Sequence, residues 1–298
     1  MQEHEVDKLL KLKQMNIAVL LTCYNRINKT IECLDSLFKA DKPDELTFDI
    51  FLLDDKSPDS TGEIISKKYP VVNVVHGEGN LFWAGGMRLI WQHAKSQKNF
   101  DGYLLLNDDV ILSKSVLMDL LETHKYSLST FEKEGLYVST TADFYSKDLS
   151  YGGRLVKRGL LRYSMTLVKP DSMPKKCSLA NANILMVMKS VVEKVGMFDN
   201  VFTHGIADYD YTLTAQRMGF PLLVSPNIGG YCTDDHGNNW LSDKSTLKQR
   251  LQYLYSPKGL AYKENLYYIK KHFPMQLPYY FSMFWLKTFF PKIWDKFK

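Results

Sequence analysis

Three short apolar segments, each followed directly by polar or acidic residues, constrain the fold of this chain more than any other feature. They are NIAVLLT at 16–22, FDIFLL at 48–53 and YLLL at 103–106. Short continuous apolar runs are typical of strands that are buried on both faces of a parallel sheet. Segments with the apolar spacing of one helical face separate them, at about 30–40, 60–69 and 85–94, and a further strand is predicted at 71–75. Alternating strands and helices predict an α/β fold with a mostly parallel central sheet flanked by helices.

Acidic residues follow two of these strands, at the position where a ligand site is expected. Asp54 and Asp55 follow the second apolar run, and Asp108 and Asp109 follow the run at 103–106. Ligands of open parallel sheets bind at the carboxyl ends of the strands. A carboxylate at this edge accepts a hydrogen bond from a base or holds a hard cation such as Mg²⁺ or Mn²⁺ against a diphosphate. Asp also favours turns, so each pair taken alone has a second interpretation.

A third acidic pair, Asp208 and Asp210, lies at the start of a helix predicted over about 209–218. An acidic residue at this position also stabilises the helix dipole, which is the structural alternative to a role in chemistry. Three such pairs together favour a functional site. The stretch between about 137 and 176 is rich in Gly, Lys, Arg and Tyr, and we interpret it as loops and antiparallel strands.

Composition excludes several classes of protein. The chain has 298 residues, 45% of them apolar, and a formal net charge of +5, which indicates a packed core and gives no sign of a nucleic-acid partner.

The N-terminus lacks the basic-then-apolar order of a secretory signal, and no apolar run approaches the ~20 residues that span a bilayer. The phosphate-binding motif Gly-x-x-x-x-Gly-Lys-Ser/Thr is missing from the sequence. The cysteines are far apart, without a C-x-x-C pair, which favours a reducing cytosol over a disulfide framework or a zinc site; they are Cys23, Cys33, Cys177 and Cys232.

The C-terminal segment combines aromatic and basic residues. From 277 it reads LPYYFSMFWLKTFFPKIWDKFK. Aromatic rings and lysines both find partners at the headgroup boundary of a lipid bilayer, so we expect peripheral binding at the inner face of the plasma membrane. A terminal helix docked on the protein, or a dimer interface, is the alternative. We therefore divide the chain into a catalytic domain at 1–250 and a C-terminal helical extension at 251–298.

The motifs taken in order resemble those of the family 2 glycosyltransferases of the GT-A fold. The similarity extends to bacterial enzymes that build O-antigen and capsule polysaccharides, including rhamnosyltransferase-like members. The matching stretches cover about 16–240 and read AVLLTCYNR, FLLDDKSPDST, GNLFWAGGMRLIWQHA, YLLLNDDVIL, VGMFDNVFTHGIADYDYTLTAQRMGF and TDDHGNNW. An ordered set of this kind is far more specific than any one motif.

The resemblance implies roles for individual residues. Thr22 and Asp55 would line the pocket of the nucleotide base, with Asp55 accepting a hydrogen bond from a pyrimidine N–H. Asp108 would lie near the ribose and Asp109 on a divalent metal, Mn²⁺ or Mg²⁺. Asp208 matches the second residue of the family's Glu-Asp motif, the general base. In this sequence Asn107 and Ala207 stand where the family has acidic residues.

Further residues complete the predicted site, each with a structural alternative. Trp83, and with less support its neighbour Phe82, would line the sugar pocket or pack in the core. Arg88 would pair with a diphosphate or lie on a helix surface. His236 would contact metal or phosphate, or simply belong to a loop. The predicted donor-binding residues are Thr22, Asn25, Asp54, Asp55, Trp83, Arg88 and Asp108.

These residues predict an inverting glycosyltransferase that uses a UDP- or dTDP-linked sugar. Asp208 would remove the proton of an acceptor hydroxyl while the diphosphate leaves, in a single displacement. The expected partners are the nucleotide-sugar donor, a saccharide or lipid-linked acceptor and the membrane surface. The alternatives are a non-catalytic scaffold subunit of a polysaccharide assembly complex and, less well supported, a sugar nucleotidyltransferase. The donor sugar and the oligomeric state stay open at this point.

Overall fold

The first half of the chain forms the parallel part of a central sheet. The computed structural model describes residues 14–232 and 245–296. Its first elements are β1 (Met15–Cys23), α1 (Ile27–Lys39), β2 (Leu46–Asp54), α2 (Thr61–Lys68), β3 (Val72–His76), α3 (Phe82–Gln97) and β4 (Gly102–Leu106). The four strands lie side by side in the order β3-β2-β1-β4, and all of these neighbours are parallel. The predicted strands are therefore confirmed, and their ends differ from those of the predicted segments by no more than two residues.

The second half extends the same sheet. Its elements are β5 (Ile111–Leu112), α4 (Val116–Phe131), β6 (Leu136–Ala142), β7 (Gly153–Arg158), β8 (Tyr163–Leu167), β9 (Lys175–Lys176), β10 (Leu179–Ala180), β11 (Ile184–Met188), α5 (Lys189–Val195), α6 (Ala207–Arg217) and β12 (Leu222–Tyr231). Beyond β4 the order is β11-β6-β12-β5, with β11 antiparallel to β4 and β6, and β6 parallel to β12. The sheet is thus mixed but mostly parallel, as predicted.

The region interpreted as loops and antiparallel strands divides into two parts. Strands β7 and β8 form an antiparallel hairpin, which agrees with the prediction. Strand β6 differs, because it is buried along its whole length and lies inside the central sheet. Its sequence, LYVSTTA, contains polar residues that are buried, such as Thr140 and Thr141, and local apolar pattern therefore understates the burial of this strand.

The C-terminal helices pack against both the sheet domain and the hairpin. They are α7 (Leu247–Tyr255), α8 (Tyr262–His272), α9 (Leu277–Phe289) and α10 (Pro291–Lys296). The ring of Phe273 stacks on Tyr163 of β8, with centroids 4.2 Å apart. Pro278 lies in the first turn of α9 and Pro291 begins α10, positions where the missing N–H of proline costs little.

The predicted boundary at residue 250 falls inside α7, and the division into a catalytic domain and an extension stays a prediction. Within residues 14–232 and 245–296, the structure contains no helix with the length and apolar character needed to cross a bilayer.

Candidate active site

A cavity of about 310 Å³ lies at the carboxyl ends of β1, β2 and β4. This is the sheet edge where the sequence placed acidic residues, and cavities of roughly 300 Å³ and above are of the size that binds small ligands. The lining residues are Thr22, Cys23, Tyr24, Arg26, Asp55, Gly79, Phe82, Trp83, Asp108, His204 and Lys258.

Asp55 is held in this wall by the loop that precedes α3. Its carboxylate accepts hydrogen bonds from the backbone N–H of Gly79 at 2.7 Å and of Leu81 at 2.9 Å. A Cβ atom at Gly77 would lie only 2.6 Å from Asp55 Oδ1, so the loop can approach the carboxylate this closely only because residue 77 is glycine. Since a carboxylate offers about four lone-pair positions, Asp55 retains acceptor capacity toward a ligand.

Trp83 packs in the core and also lines the cavity, and its contact with a sugar stays a prediction. Its indole Nε1 donates to Asn107 Oδ1 at 2.9 Å, and its ring packs on Phe198 with centroids 5.4 Å apart. The same side chain lines the cavity. Asn107 therefore uses its amide oxygen to orient Trp83.

Asp108 and Asp109 share a cationic partner. Arg26 Nη1 lies 2.6 Å from Asp109 Oδ2 and 3.4 Å from Asp108 Oδ1, and Thr30 Oγ1 donates to the other oxygen of Asp108 at 3.2 Å. Burial raises the pKa of Asp108 to about 7, and the neighbouring charge of Asp109 adds to this while Arg26 opposes it. The two carboxylates lie close enough together to share one cationic partner, the guanidinium of Arg26.

The carboxylate pair fits a hard divalent cation. Mg²⁺ and Mn²⁺ are commonly held by one or two carboxylates together with substrate phosphate oxygens and water, so a cage of protein ligands is not required. In the described parts of the chain, no group of three or more His, Cys, Asp or Glu side chains forms such a cage. His236, the other predicted metal ligand, lies outside the described residues.

Asp208 lies at the start of α6, outside the lining of this cavity. Its carboxylate accepts from the backbone N–H of Ala182 at 3.1 Å and of Tyr209 at 2.8 Å. Burial raises the pKa of Asp208 to about 6, an effect that these hydrogen bonds partly oppose. A carboxylate with this pKa is ionised at neutral pH and more basic than an exposed one.

Comparison with known proteins adds an independent observation. Residues 18–131 match the model of Glycosyl transferase family 2. This segment runs from β1 to the end of α4 and contains Thr22, Asp55, Asp108 and Asp109, whereas Asp208 lies beyond it. A search of curated proteins found no match.

Solved structures show a similar fold at low sequence identity. A mannosyltransferase from Pyrobaculum calidifontis in complex with GDP-Man and Mn²⁺ aligns with a TM-score of 0.53 and 14% identity, over 92% of this chain and 70% of that one. GalNAc-T7 with UDP, GalNAc and Mn²⁺ gives 0.58 and 14%, over 88% and 53%. S. aureus TarS 1–349 in complex with UDP-GlcNAc gives 0.52 and 17%, over 87% and 73%. The GT-A fold predicted from the sequence is confirmed.

Three predicted donor-binding residues, Asp54, Arg88 and Asn25, are not among the residues that line the cavity. Asp54 accepts from the backbone N–H of Ser57 and of Gly62, both at 3.1 Å, and so caps the turn into α2. Arg88 Nη1 donates to the carbonyl oxygens of Asp199 at 3.1 Å and Phe202 at 2.7 Å, which ties α3 to a distant loop.

Asn25 is exposed and adopts a left-handed conformation with φ of 55°. Its backbone N–H donates to Ser57 Oγ at 2.9 Å. The turn after β1 is therefore held by the turn after β2, and the side chain of Asn25 is not among the described lining residues.

The cavity also contains residues outside the predicted donor-binding set. Arg26 follows β1 within the quoted family motif. Phe82, named with Trp83 as a candidate for the sugar pocket, has a φ of 53°, a strained conformation for an aromatic residue. His204 lies within the quoted stretch 195–220, although no role was predicted for it, and Lys258 lies beyond every quoted motif.

Proposed function

We propose that this protein is a glycosyltransferase that moves a sugar from a UDP- or dTDP-linked donor to an acceptor hydroxyl. The observation that carries the proposal is the cavity at the carboxyl ends of β1, β2 and β4, which both Asp55 and Asp108 line. The match of residues 18–131 to glycosyl transferase family 2 supports this choice over other enzymes with a parallel sheet.

The cavity suggests how the donor binds. Asp55, fixed by two backbone amides, would accept a hydrogen bond from the N–H of a pyrimidine base, with Thr22 beside it. Trp83, whose ring is fixed by Asn107 and Phe198, would provide a flat apolar wall for the sugar. Both side chains are held in place before any ligand arrives, which lowers the entropic cost of binding.

Asp109, with Asp108 beside it, would hold Mn²⁺ or Mg²⁺. A bound cation of this kind would neutralise the charge that develops on the leaving diphosphate. Arg26 contacts both carboxylates and reduces the repulsion between them.

Asp208 would act as the general base. Its pKa of about 6 suits removal of a proton from an acceptor hydroxyl near neutral pH. The oxygen of that hydroxyl would attack the anomeric carbon as the bond to the diphosphate breaks, which inverts the configuration in one step. No residue of the protein needs to form a covalent intermediate in this scheme.

The proposed acceptor is lipid-linked or an oligosaccharide. Its glycosylation would belong to the synthesis of cell-surface polysaccharide of the O-antigen or capsule type. The C-terminal helices expose Phe281, Phe289, Phe290 and Ile293. Lysines in the same segment would pair with anionic headgroups. We accordingly propose peripheral attachment at the inner face of the plasma membrane, which would bring the site to a lipid-linked acceptor.

Thermal-shift measurements on the purified protein test the proposal most directly. UDP, dTDP, GDP and CMP are each added with and without Mn²⁺. We expect Mn²⁺-dependent stabilisation by UDP or dTDP, because a ligand that binds only the folded state raises the apparent stability. A melting temperature that none of these nucleotides changes would contradict the proposed donor site.

A non-catalytic scaffold role is the second candidate. Asn107 stands where the family has an acidic residue, and here its amide oxygen is used to orient Trp83. Ala207, at the other departure, is buried with only 1% of its surface exposed. Nucleotide binding without hydrolysis of the donor or transfer to any acceptor would favour this candidate.

A further inference from the structure

The turn between α7 and α8 brings a lysine to the wall of the cavity. Lys258 lies in this turn and is among the lining residues. The turn is tight, because the backbone N–H groups of Gly259 and Ala261 both donate to the carbonyl oxygen of Ser256, at 2.9 and 3.1 Å. A Cβ atom at Gly259 would lie 2.1 Å from the carbonyl oxygen of Tyr253, so this backbone path requires glycine. The backbone of Lys258 is therefore held in one position.

A chain of hydrogen bonds links this turn to the opposite part of the site. Glu264, in the first turn of α8, accepts from the backbone N–H of Thr203 at 3.0 Å. The carbonyl oxygen of Thr203 in turn accepts from the N–H of Ala84 at 3.1 Å, next to Trp83 at the start of α3. The position of Lys258 relative to the cavity is thus set by contacts between segments distant in sequence.

Among the described residues, Arg26 and Lys258 both line the cavity, and they differ in their partners. Arg26 is engaged by Asp108 and Asp109. Lys258 is exposed, and within residues 14–232 and 245–296 no carboxylate oxygen lies within 4.0 Å of its ammonium. An ammonium group has three donors and no acceptor, so its natural ligand in a cavity is an anion.

We propose that Lys258 binds the diphosphate of the donor, so that the turn between α7 and α8 contributes a residue to the active site. The inference rests on the proposed glycosyltransferase function. The carboxylates of Asp55 and Asp108 line the cavity, and cations are needed to offset their repulsion of a diphosphate. Lys258 supplies one positive charge from the protein, in addition to any metal. It stabilises the leaving group without taking part in proton transfer.

Isothermal titration calorimetry on the full chain tests this assignment. Wild type, Lys258→Ala, Lys258→Arg and the matched control Lys263→Ala are titrated, in buffer that contains Mn²⁺, with UDP, dTDP, GDP and CDP, and then with the nucleoside of the diphosphate that wild type binds best. Lys263 is an exposed lysine of α8 outside the cavity lining. Circular dichroism melts establish that each variant is folded.

We expect Lys258→Ala to weaken the diphosphate by about tenfold, the loss typical of one charge-assisted hydrogen bond, and to leave the nucleoside unchanged. Lys258→Arg should retain most of the affinity, and Lys263→Ala should match wild type. Equal diphosphate affinity in Lys258→Ala and wild type would overturn the assignment, as would a parallel loss for the nucleoside, which would indicate a change of cavity shape. A wild type that binds none of the four diphosphates would instead contradict the proposed function on which the assignment depends.

Discussion

Asp208 and Asp210 lie on one helical turn of α6 but differ in their hydrogen-bond partners. Asp208 accepts hydrogen bonds from the backbone amides of Ala182 and Tyr209 and from the side chain of Asn181, and none of these partners is charged. Asp210 is buried and bound by side chains, with His272 Nε2 at 2.7 Å and Lys271 Nζ at 2.7 Å. The first carboxylate therefore suits chemistry, and the second stabilises the structure.

Asp208→Asn should abolish transfer and leave donor binding nearly intact. A general base contributes about 10²- to 10⁴-fold to the rate, so we expect a loss of this order in kcat/KM, with nucleotide affinity within about twofold of wild type. The measurements are initial rates and calorimetric titration with UDP or dTDP. Asp171→Asn, which changes an exposed carboxylate paired with Lys175, serves as the control. Normal turnover in the Asp208 variant would refute the assignment.

The same residue predicts the direction of the pH dependence. The pKa of Asp208 is raised to about 6, so the base is ionised above this pH and protonated below it. We expect kcat/KM of wild type to be level near neutral pH and to fall about tenfold per pH unit below about pH 6. A rate that stays level well below pH 6 would show that another group accepts the proton.

At the scale of elements, the contact between α6 and α8 joins the C-terminal helices to the sheet domain. Arg217 Nη2 donates to the carbonyl oxygen of His272 at 2.8 Å, on the same side as the contacts of Asp210 with Lys271 and His272. The side chain of His272 is almost fully buried, and burial lowers its pKa, an effect that Asp210 opposes. The hydrogen bonds of Asp210 and Arg217 across this interface form only when both helices are in place.

Asp210→Ala should therefore destabilise the whole protein. Removing the carboxylate leaves His272 Nε2 buried without its partner, and a buried polar group in that state costs about 1–3 kcal/mol. We expect a loss of this size in the free energy of unfolding, measured by urea denaturation. Asp44→Ala, at an exposed position, is the control and should change the free energy by less than about 0.5 kcal/mol. Equal stabilities of the two variants would contradict this description of the interface.

At the scale of the whole molecule, two exposed apolar features lie next to each other. The tip of the β7–β8 hairpin exposes Leu160 and Leu161, which are 91% and 61% accessible. This tip is linked to the start of α9, because Gln276 Nε2 donates to the carbonyl oxygen of Gly159 at 2.8 Å. Arg158 and Arg162 flank the two leucines in sequence. An apolar tip with basic neighbours is the composition that binds anionic lipid surfaces.

Replacing both leucines by serine should weaken membrane binding. We expect wild type to float with vesicles of phosphatidylcholine and phosphatidylglycerol, less so at high salt, and the Leu160→Ser/Leu161→Ser variant to remain mostly in the soluble fraction. Val71→Ser/Met218→Ser, at exposed apolar positions outside the hairpin and α9, is the matched control. Wild type that ignores anionic vesicles would contradict the proposed attachment, and equal flotation of wild type and the leucine variant would exclude the hairpin from it.

The sequence by itself determined the strands β1, β2 and β4 and the acidic residues at their ends. Apolar runs are local features, and the parallel arrangement of such strands brings their carboxyl ends to one edge. Asp55, Asp108 and Asp109 lie at that edge for this reason. The fold class also followed from the order of the elements.

Only the tertiary structure decided which polar side chains reach the cavity and which are used elsewhere. Arg88 lies in a motif of the site segment, yet it binds carbonyl oxygens of residues more than a hundred positions away. Lys258 lines the cavity, although no motif around it predicts this position. Asp210 resembles Asp208 in sequence position, but it is paired with His272. Burial, charge pairing and the pKa values that follow from them depend on contacts between distant segments, and local sequence pattern does not encode those contacts.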